Sequence, residues 1–483
     1  MQRRFLTVML FLLTAVLLSG AVLAHDEDDE QPAPADHAHV DEFTFDEPLT
    51  YYEHIKPIID ASCMGCHQDG QIAGNIVLDT PQALQQDASY IADLLTIRYM
   101  PPWSPNPHGT VPLRNPRLLT DEQIAMFAAW AETGAAVGEP VEPSAETIAY
   151  ELPDVRQDYV YTMPEAYLPD EDKTDDYRCF IADPAFTDPT FVTGFVFEPD
   201  QTEQVHHAII YKVNASVRAR ADRMNGSDGK AGWACYNDTR LPGGDEEMVG
   251  TWTPGTFPET FPDNTGYLMQ PGDFFVMQIH YWTGNGGVDD ASGFYLQLEE
   301  GDSGVTPLFT VPLQAPVEIP CPVGVEGPQC ERNYAIQRAA ELYGVEFARR
   351  PAELLAGCGR NLQRDYSNLD PANAVSSCEI RVPWFLTAVG IYGHMHELGK
   401  SIRIELNPDS DNPIVLLDIP AWDFHWQDRY QFVEPVVTKP GDVLRMTCTW
   451  DATLAEDPRY IVWGEGTQDE MCFGTLMLLD PGR

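Results

Sequence analysis

The 483-residue sequence predicts a multidomain protein: a small all-α domain, then two all-β sandwich domains, the second carrying a cysteine-rich helical insertion. Three observations carry this. Apolar residues recur at helical spacing between about 46 and 137. Short alternating runs punctuated by turn residues follow for some 300 residues. A single stretch inside that β region, "NYAIQRAAELYGVEFARRPAELLAGC", returns to helical spacing and carries or adjoins four cysteines.

The chain starts as an export signal would. "MQRR" is basic, Phe5 to Leu18 is apolar, and Val22–Ala24 ends on small residues, which predicts a signal peptide over 1–24 and a periplasmic or secreted protein. No cysteine follows to take a lipid, and no later run reaches the roughly 20 apolar residues of a membrane span. Losing two arginines and no acid moves the formal charge from −46 to −48. So acidic a chain excludes nucleic acid and anionic membrane surfaces as partners, and suits a cationic partner or a saline habitat. Residues 25–45 read as an acidic tether. Within it a freed His25, with His37 and His39, offers a copper chelate, while a solvated segment is the plainer reading.

The all-α domain, 46–137, has three helical stretches: "TYYEHIKPIIDA", "TPQALQQDASYIADLLTIRY" and "TDEQIAMFAAWAETG". The third opens on a capping box, Thr120 with Gln123, and closes at Gly134. Between the first two stands "CMGCH". This C-x-x-C-H spacing is that of c-type haem attachment, with Cys63 and Cys66 bonded to the porphyrin and His67 on the iron. A zinc half-site lacks its second ligand pair nearby, and a redox dithiol is the remaining alternative. Met100 in "RYMPPWSPNP" is the expected sixth ligand, a thioether that raises the haem potential and suits electron transfer. His108 competes with it. Met64 lies between the haem cysteines and Met126 within the last helix, so both are poor candidates. The segment resembles a small class I cytochrome c domain.

Residues 138–165 read as a linker, 166–315 as the first sandwich and 316–483 as the second, with its insertion at about 321–378. Histidines punctuate the strands: His206 and His207 in "EQVHHAII", His280 in "FVMQIHYW", His394 and His396 in "IYGHMHELGK". Residues i and i+2 of a strand share a face, so the HxH pair can aim two imidazoles at one point. Adjacent histidines share a metal only where the strand bulges or ends. Met471 in "GTQDEMCFGTLML" starts an apolar run.

In this order, HH, HxH followed by Leu-Gly-Lys, and Met-Cys before a hydrophobic strand resemble the copper type II ascorbate-dependent monooxygenases, over roughly 165–483. "DFHWQDRY" at Asp423–Tyr430 also looks like a family stretch. The resemblance implies jelly-roll-like sandwiches and two coppers. His206, His207 and His280 would hold an electron-storage copper, and His394, His396 and Met471 an O2-binding copper. Imidazole suits copper, and a thioether stabilises Cu(I). Glu397 points away from a two-histidine iron site, and Lys400 and Ser401 stand where a cupin glutamate would. Zinc in a three-histidine site stays open for the first set.

The implied reaction is hydroxylation of a C–H bond of a small organic substrate with O2. Electrons would come from a periplasmic donor, a small reductant or cytochrome, through the attached haem c. Gln278 matches a family position near the electron route; on the residues alone it is a strand-surface glutamine. Peptide-amidating relatives carry an arginine two residues before HxH and a tyrosine four after the ligand methionine. Here those positions hold Tyr392 and Thr475, which argues for a neutral or apolar substrate. A non-catalytic haem/copper electron-transfer or copper-handling protein uses the same ligands, and a carbohydrate-binding sandwich beside a cytochrome is a third reading.

The other eight cysteines, Cys179, Cys235, Cys321, Cys330, Cys358, Cys378, Cys448 and Cys472, read as up to four disulfides. Cys448 with Cys472, Cys358 with Cys378 and Cys321 with Cys330 are the expected pairs.

Overall fold

The computed structural model describes residues 40, 43–64, 66–67, 76–78, 80–102, 105–106, 109–114, 118–141, 153–236, 238–256, 258–284, 286–424 and 426–480. The expected signal peptide, nearly all of the tether with His25, His37 and His39, the competing ligand His108 and part of the linker lie outside these residues. Among the described residues strand outweighs helix, so β-structure dominates. Among the described residues no helix is long and apolar enough to cross a membrane.

The N-terminal unit is helical. Lys56–Ser62 continues a π turn at Tyr51–Ile55, Pro81–Thr96 starts on the Thr80 cap, and Asp121–Glu132 starts on the reciprocal Thr120–Gln123 capping box. Their apolar faces meet in one core around Ile55, Ile58, Leu84, Leu95, Phe127 and Trp130. Helix Asp121–Glu132 is followed by Gly134 at φ 97°, a backbone state open to glycine.

A nine-stranded sheet runs through both sandwiches. Its main path is Tyr159–Thr162, Gly293–Glu300, Thr190–Glu198, Thr265–Met269, Thr306–Gln314, Phe473–Leu479, Leu386–His394 and Arg429–Thr438. The first four strands pack against a five-stranded sheet, Trp233–Ala234, Asp175–Ala182, Phe274–Trp282, Val205–Val213 and Glu247–Trp252. The last four pack against Ala374–Arg381, Val443–Trp450, Gly399–Leu406 and Ile414–Ile419. The halves meet at a parallel contact of two residue pairs, Thr306 with Thr265 and Pro307 with Gly266.

Three boundaries differ from those read in the sequence. Thr306–Gln314, expected in the first sandwich, pairs along its length with Phe473–Leu479 and so belongs to the second half of the sheet. Tyr159–Thr162, inside the expected linker, is an edge strand on Gly293–Leu296, too short for its alternation to stand out. The insertion's last expected residues, including Cys378, form strand Ala374–Arg381. The insertion helices Arg332–Tyr343 and Arg350–Gly357 bury Ala335, Ala339, Tyr343 and Leu354 in the second core. All three expected disulfides are present, with Cys179–Cys235 as the fourth.

The helical unit docks on the outer edge of Arg429–Thr438. Arg114 N–H donates to the Gln431 carbonyl at 2.7 Å and Val433 N–H to the Pro112 carbonyl at 2.9 Å, while Asn106 N–H donates to the carbonyl of Asp418 on Ile414–Ile419 at 2.7 Å. These contacts cover part of an edge that would otherwise expose its backbone groups.

Candidate metal centres

The middle strand of the five-stranded sheet, Phe274–Trp282, carries His280, and its neighbour Val205–Val213 carries His206 and His207. The register slips by one residue between Val205 and His207, so His206 is the extra residue of a bulge and His207 pairs with His280. The bulge turns both adjacent imidazoles to one side. The Nδ1 atoms of His206 and His207 stand 3.3 Å apart, and those of His207 and His280 3.4 Å apart. Four-coordinate imidazole bonds of about 2.0–2.1 Å place neighbouring nitrogens roughly 3.3–3.4 Å apart, the separation of both these pairs, and the ligand atoms of all three rings lie within 4.8 Å of one another.

Neighbours fix the rings. His280 Nε2 donates to Asp175 Oδ1 at 2.8 Å, which leaves the Nδ1 lone pair for a metal. Tyr177 stacks on His280, with ring centroids 4.1 Å apart and planes 6° apart, and its hydroxyl donates to the Glu465 carbonyl at 2.6 Å. Burial, then the facing imidazoles, holds His207 well below the usual histidine range and therefore neutral. Gln278 is buried rather than on a strand surface, its amide directed at Cys235 Sγ and the Asp238 carbonyl.

The second set gathers where two strands end. Leu386–His394 stops at His394, so His396 lies in the turn beyond rather than on the strand. The two rings still stand 5.0 Å apart. Buried Glu470 explains the turn: its carboxylate accepts the backbone N–H groups of His396 (3.0 Å), Leu398 (2.7 Å) and Met471 (3.1 Å) and the Trp450 indole N–H (3.0 Å). These donors bind a carboxylate, so the ladder ends and the methionine is drawn beside the histidine turn. Burial pushes the Glu470 carboxyl up to about 8, against the pull of these hydrogen bonds. Cys472, next to Met471, is clamped to Cys448.

His394 Nδ1 donates to Gln427 Oε1, and His396 Nδ1 to the Asp469 carbonyl at 3.2 Å, so both Nε2 atoms keep free lone pairs. Burial holds His394 down at about 4 and His396 well below its usual range. His394, His396 and Met471 line a pocket of about 70 Å³ together with His207, Gln278, Tyr392, Trp252, Met248 and Phe473. His207 of the first set and all three residues of the second thus face one small, largely apolar space. Glu397 is exposed, but in the turn past the strand end rather than on the strand as expected.

A separate pocket of about 390 Å³ lies at the C-x-x-C-H motif. Cys63, Cys66 and His67 line it with Met100, and Leu78, Ile91, Leu94 and Leu95 supply apolar wall. Cys63 and Cys66 are unbridged, whereas the other eight cysteines are paired. Burial, then Cys66 and Asp60, pushes the Cys63 thiol up to about 12. His67 Nδ1 donates to the Ile76 carbonyl at 2.9 Å, leaving Nε2 for a metal.

Asp175, Tyr177, Gln427 and Glu470 escaped the sequence reading. Only Gln427, inside "DFHWQDRY", and Glu470, beside Met471, stood near a noted motif.

Residues 372–480 match the model of the copper type II ascorbate-dependent monooxygenase C-terminal domain. No curated protein matches the chain. Among solved structures, PNGF-II aligns at 8% identity and TM-score 0.25, covering 66% of this chain and 65% of that one. A Paenibacillus xanthan lyase aligns at 10% identity and TM-score 0.16, covering 72% and 29%. The chain spans less than two thirds of either structure's length, and at these scores neither carries an argument.

Proposed function

We propose, from the match of residues 372–480 to the copper type II monooxygenase C-terminal domain, that the protein is an exported oxidoreductase hydroxylating a C–H bond of a small neutral organic molecule. The balance is R–H + O2 + two electrons + two protons → R–OH + H2O. The observation that carries this reading is the shared pocket, where His207 of one set and His394, His396 and Met471 of the other line the same walls.

Both donor sets fit copper. His206, His207 and His280 would hold one ion through Nδ1, and His394, His396 and Met471 the other through two Nε2 atoms and a thioether. Copper supplies one-electron chemistry and O2 activation at such ligands. The chain's own groups do the positioning. Asp175 and Tyr177 fix the His280 ring, Gln427 and the Asp469 carbonyl fix His394 and His396, and Glu470 holds the turn and the methionine. Trp252, Met248 and Phe473 exclude water from the reacting bond.

The pocket supports a neutral substrate. Arg429, beside Tyr392 in the sheet, lies behind this space; its guanidinium is 3.8 Å from Glu259 and donates to the Val249 carbonyl at 3.2 Å. A substrate carboxylate therefore lacks an available cation among these residues.

Cys63, Cys66, His67 and Met100, which line the second cavity together, would hold a covalent haem c, and that group would supply one-electron transfer. The electrons for the reaction would come from a periplasmic donor. Four disulfides fit an oxidising, extracytoplasmic compartment.

The test is metal analysis followed by product mass spectrometry with labelled O2 over a substrate panel. Two coppers, one haem and labelled oxygen in a hydroxylated neutral product are expected. Reversible redox cycling without O2-dependent product overturns the oxygenase reading, and selective turnover of glycine-extended peptides overturns the neutral-substrate assignment.

A further inference from the structure

One short segment, Trp422 to Gln427, touches the cavity at the C-x-x-C-H motif and both histidine sets. Trp422 Nε1 donates to the His396 carbonyl at 3.1 Å. Phe424 stacks on His206, with centroids 4.7 Å apart and planes 20° apart, and stands edge-on to His396 at 6.0 Å. Trp426 lines the cavity with Cys63, Cys66, His67 and Met100. Gln427 accepts from His394 and donates its amide to the Phe424 carbonyl at 2.7 Å, folding the segment on itself.

The segment is pinned to the other sandwich at the same place. Thr253 Oγ1 donates to the Gln427 carbonyl at 2.7 Å. Gly255 follows at φ 87°, and a Cβ there would stand 2.8 Å from Cys66 Sγ and 2.9 Å from Trp426 Cζ3. Cys66 and Trp426 therefore close on the same glycine, with no room for another side chain at that point. Two residues along the chain, Phe424 lies against the imidazole of His206.

We propose that Trp426, Gln427 and Phe424 form the electron conduit of the enzyme, with Trp426 as its entry at the haem cavity and Phe424 as its exit at the histidine trio. This rests on the reading that the cavity holds haem and the trio holds copper. One electron leaves ferrous haem, which becomes ferric, and reduces Cu(II) at the trio to Cu(I). No atom or proton moves, and an external one-electron reductant restores the haem. The route runs from the Trp426 ring through backbone and the Gln427–Phe424 hydrogen bond to the Phe424 ring, through packed protein rather than solvent. Both are positioning residues, since neither ligates a metal.

The experiment uses full-length protein loaded with haem and Cu(II), without O2 or substrate. A light-triggered pulse of a small reductant places one electron on the haem, and the first-order loss of ferrous haem absorbance gives the internal transfer rate. Trp426→Leu and Phe424→Leu should each slow that loss by about tenfold or more, and Trp426→Phe should hold it within about twofold. The haem potential, copper content and Cu(II) paramagnetic resonance spectrum should match the parent. Parent rates in both leucine variants overturn the conduit. Phe424→Leu lies on the histidine side, so it keeps the test decisive if Trp426→Leu disturbs haem attachment. A parent protein without covalent haem, or whose ferrous haem decays no faster with copper than without, overturns the underlying reading instead.

Discussion

Asp175 Oδ1 accepts the Nε2–H of His280 at 2.8 Å, and the same ring is covered by Tyr177. Carboxylate and tyrosine sit on one strand two residues apart, and Tyr177 pairs directly with His280 in the sheet. One strand thus orients a neighbour's imidazole from its edge and from its face.

Asp175→Asn keeps an acceptor for the His280 Nε2–H but replaces the charge-assisted hydrogen bond that fixes the ring with a neutral one. Copper affinity at the histidine trio should fall about 10- to 100-fold, while the second set keeps its own. Competitive chelator titration resolving two sites checks this; equal weakening at both sites would contradict it.

Glu470→Ala strips the acceptor from three backbone N–H groups and the Trp450 indole, all buried. Each orphaned donor costs about 1–3 kcal/mol, so a stability loss of at least about 4 kcal/mol is expected for the four. Copper stoichiometry should drop by the methionine site first. Urea unfolding and metal analysis of the same preparation measure both.

Asp228 and Arg178 form a paired hydrogen bond, Oδ2 to Nη1 at 2.6 Å and Oδ1 to Nη2 at 2.7 Å. Those bonds hold the Asp228 carboxyl down at about 2, from an ordinary 3.8. Between these values the unfolded chain binds the extra proton, so the pair's contribution is complete above 3.8 and is lost as pH falls toward 2. Asp228→Asn should lower stability at neutral pH, leaving the buried Arg178 guanidinium without its counter-charge, and its curve should converge on the parent's near pH 2. Urea midpoints across that range provide the comparison; parallel curves would rule the pair out as the source of the slope.

On the proposal that the second cavity holds haem, Met100→Leu should leave it covalently attached, because Cys63 and Cys66 are untouched. The haem potential should fall by on the order of 0.1 V, within the ~0.8 V span that axial ligands command, and the iron should accept an external ligand. Potentiometry with carbon monoxide binding reads both; an unchanged potential would assign the sixth position elsewhere.

Much of this architecture was legible in the sequence because its signals are local. Helical spacing and the Thr120 capping box marked the third helix, and adjacent histidines implied a bulge, which the register slip at His206 supplies. The HxH pair was legible as two converging rings, although His396 sits past the strand end because the Glu470 carboxylate takes its N–H. What stayed hidden depends on contacts between distant segments. Asp175 lies 105 residues before His280, and nothing in "KTDDYRCF" marks one acid among several as an imidazole's partner. Thr306–Gln314 alternates like its predecessors, and only its pairing with Phe473–Leu479 assigns it to the second half. The meeting of Gly255, Cys66 and Trp426 joins three remote stretches and leaves no periodic trace.

The contrast between two unbridged cysteines and eight bridged ones bears on biogenesis. If Cys63 and Cys66 are to join a porphyrin, their sulfurs must stay reduced while oxidation proceeds elsewhere on the same polypeptide, so maturation has to shield one thiol pair until ligation is finished. A production host that only oxidises would crosslink that pair, and one that only reduces would leave the Cys448–Cys472 clamp beside Met471 unmade.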